Sequence, residues 1–171
     1  MRTFILTLAA LGTAAAATSP AAAASTIYVM RHLQKADGND PPLSAEGAAN
    51  AQKVVTILGK RKIRAIFATP TRRAVETGEP LAEALKLTVT SYDPKDPAAL
   101  KTAVDAIKGA ALIVGHSNTV PDIVALFGGE PVGPLADSDY GTIFVVAPSP
   151  RPSPSRGEGV KVERIEVAPK R

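Results

Sequence analysis

Cysteine is absent from this chain of 171 residues. That excludes disulfides, thiolate catalysis, thiolate metal sites and a lipid-modified cysteine. Aromatic residues make up only 4% of the chain, too few to stack nucleic-acid bases, and no continuous basic stripe follows the formal charge of +4, so a nucleic-acid partner is not expected. Histidine occurs only twice, as His32 and His116. Two well-separated histidines do not reproduce a compact metal-ligand spacing, and no metal or other cofactor is expected.

Only one segment is long in apolar residues, and it lies at the start. Met1-Arg2 is a short basic opening, Phe4 to Ala17 is uncharged and apolar, Ser19-Pro20 breaks the run, and Ala22-Ala23-Ala24 offers small residues before Ser25. This is the layout of a secretory signal peptide over residues 1–24, with one domain over 25–171. The expected location is periplasmic or secreted. The apolar part falls short of the about 20 residues that span a bilayer, so no stable membrane insertion is expected after cleavage. Losing Arg2 lowers the formal charge from +4 by one, which suits an anionic substrate. A monomer is the default expectation.

From Ser25 onward, strand-like and helix-like segments alternate. The predicted strands are Ile27 to Met30, Ala65 to Ala68, Leu87 to Tyr92 and Ala111 to Val114. Between them fall helices from Ser44 to Leu58, from Pro70 to Leu85 with Thr69 as N-cap, and from Asp96 or Pro97 to Lys108. A fourth helix opens at Asn118-Thr119-Val120-Pro121 and ends at Gly128-Gly129. Strands at Thr142 to Val146 and Val160 to Val167 follow, joined by a Pro/Ser-rich loop over 148–159 in which alternate prolines cannot donate ladder hydrogen bonds. The fold class is therefore α/β: a three-layer α/β/α sandwich with a mostly parallel sheet and a C-terminal antiparallel hairpin.

Both histidines stand at the ends of buried strands. His32 follows Thr26-Ile27-Tyr28-Val29-Met30-Arg31 and His116 follows Ala111-Leu112-Ile113-Val114-Gly115. In an open α/β sheet, ligands bind at the carboxyl edge of the strands. A phosphomonoester dianion needs fixed positive donors, which guanidinium groups supply as bidentate forks. Phosphoryl transfer needs a nucleophile, and without cysteine the neutral imidazole of His32 is the candidate. Arg73, in the first turn of the second helix, is a cation at the positive end of a helix dipole, a conflict that a bound phosphate relieves. Arg72, about 100° further around the helix, is expected to face solvent.

Three motifs in order carry a family resemblance: Arg31-His32, then Thr69-Pro70-Thr71-Arg72-Arg73-Ala74-Val75-Glu76-Thr77, then Gly115-His116-Ser117-Asn118-Thr119. Pro42-Leu43-Ser44 with Gly47 and Ala51, and Asp139-Tyr140 before the fifth strand, support it. Together they resemble the histidine phosphatase superfamily, the phosphoglycerate-mutase-like proteins, from about Thr26 to Val146. The resemblance implies that His32 attacks phosphorus to form a phosphohistidine, that Arg31 and Arg73 hold the equatorial oxygens, and that His116 donates to them as charge builds. It also implies a carboxylate after the third strand as leaving-group acid, for which Asp93 stands in the corresponding region. The activity implied is metal-independent hydrolysis of a small-molecule or envelope phosphomonoester. A non-catalytic phosphate- or phosphosugar-binding protein and a phosphomutase are the alternatives. The sequence departs from the family at Leu33 and Gln34, where glycine or alanine and then glutamate are usual. Leucine there adds bulk beside the nucleophile, and glutamine removes a carboxylate. A shallow, open pocket is expected.

Overall fold

In the computed structural model, residues 26–147 and 162–167 are described. The predicted signal peptide and the 148–159 loop lie outside them. The elements are β1 (Ile27–Arg31), α1 (Ala45–Leu58), β2 (Ile63–Ala68), α2 (Arg72–Leu85), β3 (Val89–Ser91), α3 (Pro97–Asp105), β4 (Ala110–Gly115), α4 (Val120–Leu126), β5 (Thr142–Val146) and β6 (Val162–Glu166). One six-stranded sheet has the order β3-β2-β4-β1-β5-β6. Its first four strands pair in parallel, while β5 runs antiparallel to both β1 and β6.

The strands alternate their side chains between two cores, as their period of two requires. Tyr28, Met30, Ile66, Leu112, Val114 and Ile143 pack beneath α1 and α2, through residues such as Val54, Leu58 and Leu81. On the other face, Val29, Phe67, Ile113 and Phe144 meet Leu100 and Val104 of α3 and Ile123 and Val124 of α4. The three layers of the expected sandwich are thus present. Each fully buried aliphatic side chain contributes about 1.5–3 kcal/mol relative to its exposed state, so two cores of this extent hold the strand ends in fixed positions.

Local chemistry explains most boundaries. Ser44 caps α1 by accepting from the Gly47 backbone N–H, and Gly59 ends it. Asp96 caps α3 by accepting from Ala99, with Pro97 in the first turn. Gly47 also lets α1 pass close to the first motif, since a Cβ there would collide with the Gln34 carbonyl.

Several boundaries differ from expectation, among them β2, which begins two residues early at Ile63. Helix α2 starts at Arg72 with Thr71 as N-cap, two residues late, because Thr69 is still bound to the sheet through its backbone N–H and Val114 O at 3.2 Å. Strand β3 begins only at Val89, because Lys86 turns left-handed with φ 56° and Leu87 N–H closes the helix end on Ala82 O. Helix α3 stops at Asp105, ahead of Gly109 at φ 147°. Helix α4 is shorter than expected, Val120–Leu126, and leaves Gly128 and Gly129 in the turn beyond it.

Candidate active site

Strands β1 and β4 are neighbours, yet the chain leaves them in opposite directions, to α1 on one face and to α4 on the other. Such a divergence opens a crevice at the carboxyl edge of the sheet. His32 and His116 stand on its two lips. His32 is tied across it by its backbone N–H to Gly115 O at 2.9 Å, and the two imidazole centroids lie 5.2 Å apart at 66°. Gly115 has no side chain for a reason: a Cβ there would lie 2.6 Å from Thr119 Oγ1. That same hydroxyl accepts from His116 N–H at 2.9 Å and fixes the turn that carries the second imidazole.

The tautomer of His32 follows from its two partners. Its Nδ1 lies 2.8 Å from the Leu33 carbonyl, which only accepts, so Nδ1 carries the proton. Its Nε2 then holds a lone pair, and Arg73 Nε donates to it at 3.2 Å. His116 Nε2 is paired with the Thr69 hydroxyl at 2.9 Å. Thr69 is almost fully buried and orients the second imidazole instead of capping α2 as its sequence position predicts.

Two arginines flank the imidazoles, held in different ways. Arg31 has an 8% exposed side chain. Its Nη1 donates to the carbonyls of Ala136, Asp137 and Asp139 at 2.9, 3.1 and 3.4 Å. Its guanidinium carbon sits 4.2 Å from the Tyr140 ring centroid, and Nη2 donates to the Tyr140 hydroxyl at 3.4 Å. The Tyr140 ring in turn lies 5.8 Å from His32. Arg73 is 21% exposed, and its Nη1 is 3.6 Å from Asp40 Oδ1. Arg72 faces solvent as predicted and pairs with Glu76 at 2.8 Å.

Burial pushes the His32 pKa down to about 4, with His116, Arg31 and Arg73 adding to the shift and the Leu33 carbonyl opposing it. His116 is likewise lowered to about 4, by burial first and then by Arg73 and Arg31. The direction matches what adjacent arginines predict, but desolvation is the larger cause. Both imidazoles are neutral across the ordinary working range, and the guanidinium groups supply the positive charge. The result is an anion site with one unprotonated ring nitrogen at its centre.

His32, His116, Arg31 and Arg73 therefore meet, and Asp93 makes no hydrogen bond with any of them. Asp93 is exposed and its carboxylate accepts from the Lys95 backbone at 2.8 Å. That turn leads into α3 and engages Oδ1 of the carboxylate. Leu33 adds no bulk to the pocket, since its side chain is fully buried in the core beneath α1 and α2. Gln34 turns to α1, where its Oε1 accepts from Asn50 Nδ2 at 3.1 Å. Arg31 also borders a cavity of about 210 Å³ lined by Leu135, Phe144 and Arg164, among others; neither histidine lines it.

The residues that sequence reasoning missed are Thr69, Tyr140 and Asp40. Thr69 had a readable signal, as the first residue past a strand at the same sheet edge as the histidines. Tyr140 had only its place in a supporting motif. Asp40 had none.

Residues 27–94 match the model of the histidine phosphatase superfamily (branch 1). Among solved structures, the chain is similar to the protein histidine phosphatase SixA complexed with tungstate, at 19% identity and a TM-score of 0.62, covering 83% of this chain and 97% of that one. A mycobacterial glucosyl-3-phosphoglycerate phosphatase with inorganic phosphate gives 16% identity and a TM-score of 0.62, covering 85% and 98%. YhfR of Bacillus stearothermophilus gives 17% and 0.58, covering 80% and 94%. No curated protein sequence matches the chain. In motif and in fold, the resemblance is to the histidine phosphatases, the phosphoglycerate-mutase-like proteins.

Proposed function

We propose that the chain is an exported phosphatase that hydrolyses phosphomonoesters through a phosphohistidine on His32. The observation that carries this reading is the pair of bonds on that ring, Nδ1–H to Leu33 O and Arg73 Nε–H to Nε2. They leave a lone pair on Nε2 beside two guanidinium groups. An entering phosphate takes Arg73 Nε–H from the ring, and the freed lone pair attacks phosphorus. The N–P bond forms as the bond to the leaving oxygen breaks. Arg31, Arg73 and His116 stabilise the equatorial oxygens. Water then attacks phosphorus, the N–P bond breaks, and inorganic phosphate leaves. Asp93 has no step in this scheme; the departing oxygen takes its proton from water.

Export rests on the basic start, apolar run and small residues of 1–24. The substrate class is small or envelope phosphomonoesters, in keeping with neighbours of the same fold whose names identify them as phosphatases. The test is hydrolysis of an aryl phosphate, with and without EDTA, by the wild-type chain and by His32→Ala. Turnover that persists in EDTA and disappears in the variant, with an acid-labile phosphoryl group trapped on the wild-type chain, is the expected result. Phosphate binding without turnover by any ester would instead make it a binding protein.

A further inference from the structure

We propose that Asp40 is a positioning residue that aims Arg73 at His32 and, by its charge, keeps the site from holding phosphate too tightly. This rests on the phosphatase reading. Asp40 lies in the loop between β1 and α1 in a left-handed conformation, φ 47°, which aspartate and asparagine tolerate better than most residues. Its Oδ1 accepts from the Arg72 backbone N–H at 3.0 Å and lies 3.6 Å from Arg73 Nη1. Thr71, the N-cap of α2, makes no side-chain cap bond of its own. The helix is therefore capped by a carboxylate from 32 residues upstream, where its negative charge also suits the dipole.

The loop is pinned to α2 a second time, because Glu76 Oε2 accepts from Leu43 N–H at 2.7 Å while its other oxygen takes the Arg72 guanidinium. With Arg72 occupied by Glu76, Asp40 pairs with Arg73. The order is then carboxylate, guanidinium, imidazole: Asp40 on Nη1, and Nε on the lone pair of His32. A guanidinium is a rigid plane, so fixing one end sets the direction of the other. Asp40 thus turns Nε toward the position a transferring phosphoryl oxygen takes. Its negative charge also stands near that position and opposes the dianion, which favours release of product.

The test uses inorganic phosphate as probe on the full chain, by calorimetric titration, beside thermal melting and aryl phosphate kinetics. Asp40→Asn keeps the left-handed backbone and an oxygen for Arg72 N–H but loses the charge. Its melting temperature should stay near wild type, its phosphate Kd should fall about threefold to tenfold, and kcat should fall about tenfold while KM falls with it. Asp40→Glu should bring phosphate Kd back toward wild type. If Asp40→Asn melts lower but leaves Kd and kcat unchanged, the residue is only a helix cap and the proposal is overturned. Binding is read without turnover: a chain whose Kd responds as described but that hydrolyses no ester sinks the phosphatase reading and leaves the electrostatic role of Asp40 standing.

Discussion

The two arginines of the site have one charge and two kinds of anchorage. At the end of β1, Arg31 is buried, with Nη1 on the carbonyls of Ala136, Asp137 and Asp139, the Tyr140 ring against its guanidinium, the exposed Asp137 carboxylate 4.0 Å from Nη2 and its Nε without a partner. At the start of α2, Arg73 is partly exposed and held by a carboxylate and a ring nitrogen. Removing the first empties a buried position between β1 and residues 136–140; removing the second leaves groups that water reaches. One wall of the site is thus built into the stability of the fold, and the other is free to exchange partners.

Substituting each arginine by alanine tests this division most directly. Both variants should lose about a hundredfold or more in kcat/KM, since each removes charge from the transition state. Stability should separate them: Arg31→Ala should lose about 2–4 kcal/mol through the lost packing of a buried side chain and its contact with Tyr140, and Arg73→Ala less than about 1 kcal/mol, read by denaturant unfolding. Equal losses would erase the distinction.

A pH series sharpens the comparison next. An unfolded imidazole takes its proton near about 6.5, whereas His32 and His116 in the fold do so at about 4. Between these values the unfolded chain binds more protons than the native one. Their contribution to stability is therefore complete above about pH 6.5 and is lost as pH falls toward about 4. The acid limb of kcat/KM should lie near the lower value. Because burial outweighs the arginines as cause, Arg73→Ala should move that limb upward yet leave it well short of the ordinary imidazole value. The smallest effect belongs to Tyr140→Phe, which keeps the ring under Arg31 and deletes one long hydrogen bond; a fall in kcat/KM of about twofold to fivefold is expected.

How much the sequence disclosed divides along the same line. Strand ends with Arg31-His32 and Gly115-His116, the Ser44 and Asp96 caps and the layered sandwich follow from local pattern, because apolar period and capping chemistry act over a few residues. Arg73 was legible through its conflict with the helix dipole. The anchors of the arginines were not, because they reach across the chain. The carbonyls of Ala136, Asp137 and Asp139 have no side-chain signature at all, and Asp40 caps a helix far downstream of itself. For Asp93 the sequence shows the loop but not the local turn in which its Oδ1 accepts from the Lys95 backbone.

The hydrogen bond from His32 Nδ1 to the carbonyl of the very next residue has a consequence for how this chain can change. That acceptor is a peptide oxygen, present whatever amino acid occupies position 33. The choice of which nitrogen keeps the lone pair is therefore inherited with the backbone and is insulated from mutation at its own partner. Position 33 is left free to serve the hydrophobic interior, and a leucine can stand there at no expense to the orientation of the His32 ring.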